Sequence, residues 1–271
     1  MQVSFDISGK TAVITGAGGV ICSVLAKEMA KKGARVALLD LFLDAAEKVA
    51  EEIRGMGGDA LAIKANVLNR TSLEEAHKLV LDHFGTVDIL VNGAGGNKAD
   101  ATTSKDKIFF DLDPDALRWV FDLNVVGAVL TTQVFGKTLA KNKHGQVINI
   151  ASMASFLPLT NTVAYSSAKA AVANFTQWMA VHFNLNYSTD IRVNAIAPGF
   201  LLTTQNQFLL TKPDGSATDR GKAVIAKTPM GRYGDPVELA GAVIWLCSPA
   251  ASFVNGAVIP IDGGFSAYWG V

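Results

Sequence analysis

The chain has 271 residues, of which 49% are hydrophobic and 18% charged, so it can bury the core of one large domain. Lysine plus arginine equal aspartate plus glutamate at 24 each, which argues against a nucleic-acid partner because a phosphate backbone is held by a basic surplus. Two cysteines, an N-terminus without an apolar signal region and the absence of ~18 consecutive apolar residues predict a cytoplasmic protein with no disulfide and no membrane partner.

A short β-rich run, Thr11–Thr15, opens an alternation of strands and helices along the chain. A glycine turn at residues 16–19 closes this strand, and apolar residues at helical spacing predict a helix over 20–32. Further strands are predicted at 34–40, 60–65, 87–92, 146–151, 191–197 and 257–261, and further helices at 44–56, 72–84, 114–140, 163–187 and 236–247. Residues 200–228 form a polar insertion with glycine and proline, which we interpret as a substrate lid.

The predicted strands lack polar alternation and are separated by helices, which indicates a parallel sheet covered on both faces. We therefore predict an α/β fold, a Rossmann-type doubly wound sheet of seven parallel strands, in a single domain that spans residues 1–271. In such sheets a ligand binds beyond the carboxyl ends of the strands, where the winding direction reverses.

Several polar features fall at that edge of the predicted sheet. The glycine turn follows the first strand, Asp40 ends the second, an Asn-Gly-Ala-Gly-Gly run ends the fourth, and Ser152 follows the fifth. A glycine turn before a helix binds an anionic pyrophosphate, although the same turn also occurs without a ligand. Asp40 has the reach to accept hydrogen bonds from an adenosine ribose and would repel a 2′-phosphate, so we expect NAD(H) rather than NADP(H). The alternative is that Asp40 only caps the next helix, a role that Asp44 could also fill.

Tyr165 and Lys169 stand four residues apart in a predicted helix, so the phenol and the ammonium lie on one helix face. A free tyrosine titrates near pH ~10, and a lysine one turn away can stabilise the phenolate and lower that pKa. Ser152 follows a predicted strand and can return through the loop to the same point. The set predicts a proton-transfer site, although each residue taken singly could be an ordinary loop or surface residue.

Motifs in a fixed order along the chain carry a resemblance to one family. They are Thr15-Gly16, Asn92-Gly93-Ala94-Gly95, Asn124 in an Asn-Val-Val-Gly run, Ser152, Tyr165-x-x-x-Lys169, Pro198-Gly199 and Asp262-Gly263-Gly264. Together they resemble the short-chain dehydrogenases/reductases over almost the whole length of the chain. The resemblance implies that Tyr165 is the general acid/base and that Lys169 holds the nicotinamide ribose and lowers the tyrosine pKa. It also implies that Ser152 orients the substrate oxygen and that Asn124 holds a water in a proton relay.

The resemblance further implies a cofactor site for NAD(H) and no metal. Its residues would be Gly16, Gly18, Gly19, Val20, Ile21, Asp40, Asn66, Val67, Asn92, Gly93, Ala94, Tyr165, Lys169, Pro198, Gly199, Leu201 and Thr203. The chain departs from the family pattern where Val20 and Cys22 replace the second and third glycines of the turn and Gly93 replaces an asparagine. We expect the pyrophosphate contact to shift, because a β-branched residue narrows the approach to the backbone while cysteine is small.

The glycine turn and the run that ends at Asn97 are similar to the family subgroup that interconverts D-mannonate and D-fructuronate with NAD(H). A sugar acid needs a cation or amide donors for its carboxylate and polar groups for its hydroxyls. We expect Asn97 and Lys98 to supply them, with Ser152 and Tyr165 at the reacting carbon. Further candidates, each of which could be a solvated loop residue, are Thr102, Thr103, Lys105, Thr203, Thr204, Gln205 and Asn206.

Other activities of the family stay open at this point. They are gluconate 5-oxidation, polyol oxidation and 3-oxoacyl reduction, and the non-enzymatic alternative is a nicotinamide sensor or scaffold. The resemblance suggests a homotetramer. Residues 265–269 form an apolar tail, which is a candidate subunit interface because such a tail is seldom left in water.

Overall fold

The computed structural model describes residues 3–203 and 207–270. Its strands are β1 (Thr11–Thr15), β2 (Arg35–Asp40), β3 (Ala60–Lys64), β4 (Ile89–Asn92), β5 (Gly145–Ile150), β6 (Ile191–Pro198) and β7 (Val258–Ile261). Within the described residues they form one sheet of seven parallel strands in the order β3-β2-β1-β4-β5-β6-β7. The predicted doubly wound α/β fold is confirmed, and its winding direction reverses between β1 and β4.

Helices cover both faces of this sheet. They are α1 (Val20–Lys31), α2 (Leu43–Gly55), α3 (Arg70–Phe84), α4 (Pro114–Phe121), α5 (Gly127–Asn142), α6 (Val163–Asn186), α7 (Gln207–Leu210), α8 (Asp219–Lys227) and α9 (Ala240–Cys247). Side chains alternate along each strand, so Ile14 packs towards α1 and α9 while its neighbour Val13 packs towards α3 and α5. Because both faces are buried, the strands lack the polar alternation of a half-exposed sheet, as the sequence pattern indicated.

Local signals explain where the helices begin and end. The Asn69 side chain accepts a hydrogen bond from the Ser72 N–H at 2.9 Å and so caps the start of α3. Gly85 ends this helix in the left-handed conformation, at φ 78°. Asp113 caps α4 in the same way, and Pro114 occupies the first turn, where a missing N–H costs nothing.

The helix predicted over 114–140 is longer and irregular. A π-helical segment, Asp122–Val126, separates α4 from α5, and such a segment is frequent at functional sites. We expected no stretch of membrane-spanning character, yet Pro114–Asn142 contains a window with a mean hydropathy of 1.2 that is 50% buried. The buried half packs on the sheet through residues such as Phe135 and Leu139, which accounts for the apolar composition.

The C-terminal part also differs in detail from the prediction. The insertion at 200–228, predicted only as a polar loop, contains α7 and α8. Thr218 caps α8 by accepting from the Gly221 N–H at 3.0 Å. The helix predicted over 236–247 begins as a 3₁₀ turn, Pro236–Leu239, because Asp235 and Glu238 form a capping box that tightens this first turn.

Candidate active site

A cavity of about 640 Å³ opens at the carboxyl ends of β1, β4, β5 and β6. The predicted residues that line it are Gly16, Gly18, Gly19, Val20, Ile21, Asp40, Gly93, Ala94, Ser152, Tyr165, Lys169, Pro198, Gly199, Leu201 and Thr203. This is the edge at which the winding direction reverses, so the topology alone brings these distant segments together.

The glycine turn is shaped by close packing on both sides. Gly16 has a φ of +65°, and a Cβ there would lie 2.9 Å from the Ala94 Cα. A Cβ at Gly18 would lie 2.5 Å from the Ala45 Cβ. The backbone therefore reaches the cavity without side chains in the way.

The first turn of α1 faces the cavity with free backbone donors. Its N-cap residue Gly19 makes no side-chain cap, and the first turn has no acidic residue. Amide groups at such a helix start, together with the helix dipole, favour an anion. The departure at Val20 leaves this arrangement intact, since Val20 and Ile21 line the cavity wall beside the turn. The site fits the pyrophosphate of a dinucleotide.

Asp40 joins the end of β2 to the glycine turn. Its Oδ2 accepts from the Gly18 N–H at 2.9 Å and its Oδ1 accepts from the Phe42 N–H at 3.0 Å. The bond to Phe42 closes a local turn before α2, whose N-cap residue Phe42 receives no side-chain cap, so the alternative role of Asp40 as a helix cap is not found. The carboxylate lines the cavity, and each of its oxygens has a second lone pair with which to contact a ribose.

Three predicted cofactor residues do not line the cavity. Asn92 is buried and donates to Thr132 Oγ1 at 3.0 Å and to Asn149 Oδ1 at 2.8 Å, so it supports the sheet behind the site. The Asn66 side chain accepts from the Leu68 N–H at 2.9 Å and forms a local turn. Val67 is buried in the core beside Gly127.

Three of the four catalytic candidates line the cavity, and Asn124 does not. Tyr165 and Lys169 project from the first turns of α6, and Ser152 follows β5. The Lys169 Nζ donates to the Ile150 carbonyl at 2.8 Å and lies over the Tyr165 ring, 5.6 Å from its centroid. The Ser152 hydroxyl accepts from the Ala154 N–H at 3.1 Å.

Burial shifts the pKa values of Tyr165 and Lys169. It raises the pKa of Tyr165, and the interaction with Ser152 opposes that rise. The lowering of the tyrosine pKa by Lys169, which the family resemblance implies, stays a prediction. Burial also lowers the pKa of Lys169 to about 8, because the apolar surroundings disfavour its charge.

Asn124 lies in the π-helical segment and is fully engaged. Its Nδ2 donates to the Gly96 carbonyl at 2.7 Å and to the Val120 carbonyl at 2.8 Å, and its Oδ1 accepts from the Gly96 N–H at 3.2 Å. A Cβ at Gly95 would lie 2.7 Å from the Asn124 Oδ1 and 3.3 Å from the Lys169 Nζ. Asn124 and Lys169 therefore approach the same point of the backbone from two sides.

The candidate substrate residues after β4 form a folded turn beside the cavity and do not line it. The Asn97 Nδ2 donates to Thr102 Oγ1 at 2.9 Å, and the Lys98 Nζ lies over the Trp119 ring at 5.0 Å. Thr103 bonds to the Asn161 carbonyl. Among the insertion candidates, Thr203 lines the cavity, while Thr204, Gln205 and Asn206 lie outside the described residues.

The sequence did not point to several residues of the cavity wall. They are Phe42, Ala45, Ile150, Ala151, Met153, Leu159 and Phe200. Most are sequence neighbours of a predicted residue, so extending each motif by two positions would have found them. Leu159 has no such signal, because it belongs to the loop between Ser152 and α6 and reaches the cavity only through the fold.

Comparisons with known proteins agree with this geometry. A family model described as enoyl-(acyl carrier protein) reductase matches residues 16–266. An uncharacterised oxidoreductase of Haemophilus influenzae is 49% identical over 282 residues, covering 100% of this chain and 98% of the relative. A crystal structure with bound NAD, also from Haemophilus and provisionally named a D-mannonate oxidoreductase, has a TM-score of 0.92 and 48% identity, with 98% of each chain covered. A gluconate 5-dehydrogenase of Burkholderia cenocepacia, solved with NADP and tartrate, has a TM-score of 0.85 and 30% identity, covering 97% of this chain and 98% of that one.

Proposed function

The chain belongs to the short-chain dehydrogenase/reductase family and is an oxidoreductase of CH–OH groups, and from that premise we propose that its substrate is a sugar acid. The D-mannonate/D-fructuronate pair, with NAD(H) as the hydride carrier, is the specific assignment. Its main support is the likeness over 98% of both chains to the NAD-bound Haemophilus protein that carries this provisional name.

The described side chains account for the proton part of such a reaction. A bound nicotinamide supplies or accepts the hydride. Tyr165 then donates its phenolic proton to the developing alkoxide, and Ser152 donates a hydrogen bond to the same oxygen. Lys169 supplies positive charge beneath the tyrosine. Asn124 holds the Gly96 backbone in place, beside the path by which a proton would reach solvent.

The reaction test compares wild-type protein with Tyr165→Phe in NADH oxidation with D-fructuronate. We expect the variant to lose at least ~100-fold in kcat with its fold retained, because general acid/base catalysis contributes factors of this size. Equal rates would contradict the mechanism. An enzyme that is inactive with fructuronate but active with another substrate would contradict only the sugar-acid pair.

Gluconate 5-oxidation is the second candidate, because the gluconate 5-dehydrogenase shares the fold over 97% of this chain. That neighbour was solved with NADP, whereas the described cavity of this chain carries Asp40 where a 2′-phosphate would lie. We therefore infer a preference for NAD(H). Parallel assays with gluconate and mannonate, each with NAD and NADP, separate the two candidates.

Lys98 is our candidate for the substrate carboxylate. The nearest acidic residue, Asp100, pairs instead with Lys107 at 2.6 Å, so the Lys98 ammonium rests on the Trp119 ring. Trp119 and Tyr165 both pack against one small apolar cluster formed by Ala101, Ala116, Val120 and Ala164. A flexible lysine held on a ring near the reacting centre suits a carboxylate at the far end of a sugar acid.

The variant Lys98→Met tests this role, and Lys105→Met, which removes a charge from the same segment, is its control. We expect Lys98→Met alone to raise the KM for fructuronate about 10-fold, the loss of one charge-assisted hydrogen bond. The KM for a neutral ketose should not change. If both variants raise the KM equally, the positive charge of the whole segment, and not a contact with Lys98, favours the substrate.

The insertion is proposed as the substrate lid. Its two ends are fixed, since the Leu202 N–H donates to the Gly234 carbonyl at 3.0 Å and the Met230 N–H donates to the Gly263 carbonyl at 3.1 Å. Between these points α7 and α8 pack on each other. Slower amide exchange over 207–227 with NAD and substrate than with NAD alone would support closure, and unchanged exchange would contradict it.

We propose a homotetramer in the cytoplasm. Apolar side chains on α6 and in the tail are exposed in one chain, among them Leu185 at 79% and Trp269 at 81%. The cysteines Cys22 and Cys247 are free and buried, which supports a reducing compartment. Light scattering should give about four times the 28.6 kDa chain mass, and a single-chain mass would contradict the assembly.

A further inference from the structure

Two departures from the family pattern, Cys22 and Gly93, are in contact. A Cβ placed on Gly93 would lie 2.1 Å from the Cys22 Sγ, far closer than two such atoms can approach. Gly93 is not among the glycines with a positive φ, so its backbone conformation would accept a side chain. Space therefore requires glycine at this position, because the Cys22 thiol and, at 2.8 Å, the Thr15 carbonyl oxygen both lie against it.

This contact joins the two halves of the active site. Cys22 lies in the first turn of α1, whose amides face the pyrophosphate position, and only 3% of it is exposed. Gly93 follows β4, and its N–H donates to Thr15 Oγ1 at 3.1 Å. Two residues later, Gly95 lies against Asn124 and Lys169. The thiol is thus the packing contact between the anion-binding turn and the strand end that leads to the catalytic residues.

We propose that Cys22 is a cofactor-positioning residue that acts through Gly93. The Sγ atom sets the distance between the first turn of α1 and the end of β4. This distance fixes where the pyrophosphate lies relative to Tyr165 and Lys169, whatever the substrate is. The assignment goes beyond the sugar-acid proposal and does not depend on it.

The thiol acts by its volume. Burial raises the pKa of Cys22 to about 12, so it is uncharged at neutral pH and is a poor nucleophile. Cys247 offers a matched comparison, because burial raises its pKa to about 12 as well and it is buried in α9, where it does not line the cavity. Any effect of losing a buried thiol in general should appear equally at Cys247.

The test is a double-mutant cycle of Cys22→Ala and Gly93→Ala, with Cys247→Ala as control and NAD affinity measured by calorimetry. We expect Gly93→Ala to weaken NAD binding by more than about 10-fold, because overpacking displaces both segments. Cys22→Ala alone should weaken it about threefold. Cys22→Ser, which keeps the shape, should bind NAD as the wild type does.

The decisive measurement is the NAD affinity of the double variant Cys22→Ala/Gly93→Ala. Without the Sγ atom, the nearest atom of residue 22 is its Cβ, at 3.6 Å from the added methyl group. The Thr15 carbonyl oxygen, at 2.8 Å from that methyl group, is unchanged, so the double variant should recover the part of the lost affinity that the Sγ contact causes. Additive losses, or equal losses in Cys247→Ala and Cys22→Ala, would overturn the proposal. If Gly93→Ala alone does not fold, recovery of a folded, NAD-binding double variant supports the proposal and a failure to recover overturns it.

Discussion

The ammonium of Lys169 lies over the ring of Tyr165, 5.6 Å from its centroid, and donates a 2.8 Å hydrogen bond to the Ile150 carbonyl. Lys169 is buried, where an isolated charge is costly, and Tyr165 is half-buried. The protein thus keeps a cation beneath the catalytic phenol at the expense of stability, which is a common compromise at active sites.

Replacing this cation should separate stability from activity. Burial holds the pKa of Lys169 at about 8, below its value of 10.5 in the unfolded chain, so the ammonium destabilises the fold at pH 7. We expect Lys169→Met to raise the melting temperature by roughly 2–4 °C for each kcal/mol relieved, while activity falls at least ~100-fold. A lower melting temperature would show that the bond to Ile150 outweighs the cost of burying the charge.

Activity and stability should respond to alkaline pH in opposite directions. Between pH 8 and 10.5 the unfolded chain holds the Lys169 proton more tightly than the folded one, so this residue makes stability rise with pH in that window. Over the same range the folded enzyme loses the ammonium and with it activity. The buried thiols of Cys22 and Cys247 have raised pKa values, so they reduce the stability of the fold above pH 9. The difference in stability between wild type and Lys169→Met therefore isolates the contribution of the lysine. A stability difference between these two proteins that stays the same from pH 7 to pH 10 would contradict this effect of Lys169.

Ser152 should tune the pH at which Tyr165 acts as a base. Its interaction with the phenol lowers the pKa of Tyr165, so Ser152→Ala should raise that pKa and move the pH profile of alcohol oxidation upwards. We expect kcat/KM to fall by about 10²–10³, as for the loss of a preorganised donor. Ser155→Ala is the control, because the Ser155 hydroxyl bonds to the Lys169 carbonyl at 2.7 Å. A profile that moves equally in both variants would indicate a general disturbance of the loop.

The sequence predicted the fold well because a parallel sheet buried on both faces leaves a strong pattern. Strand β1 was predicted with its exact bounds, and each remaining strand was placed within two residues at either end. The π-helical segment around Asn124 left no such pattern, since one extra residue in a helical turn hardly changes the spacing of apolar residues. Its cause is tertiary, in the bonds between Asn124 and Gly96.

The sequence indicated those parts of the cavity wall that come from motifs with glycine backbone or short side chains. It indicated less well the parts where a loop folds over the cavity. The ribose role of Asp40 stays a prediction, while its alternative role as a helix cap is not found, since α2 has no side-chain cap. Cys22 and Gly93 are separate departures in the sequence, because a contact between residues 71 positions apart is visible only in the fold. Asn66 forms a local turn with Leu68 through its side-chain oxygen, and its role towards the cofactor stays a prediction.

Asp40 should select NAD over NADP by charge, and the variant Asp40→Asn tests this with little change in shape. An amide oxygen can still accept the Gly18 N–H, so the turn is retained while repulsion of a 2′-phosphate is removed. We expect the ratio of kcat/KM with NAD to that with NADP to fall by about 10–100-fold, the weight of one close charge interaction. Asp44→Asn, in the first turn of α2, is the matched control and should leave the ratio unchanged. If Asp40→Asn lowers the melting temperature but leaves the ratio unchanged, Asp40 serves only to hold the glycine turn and the turn before α2.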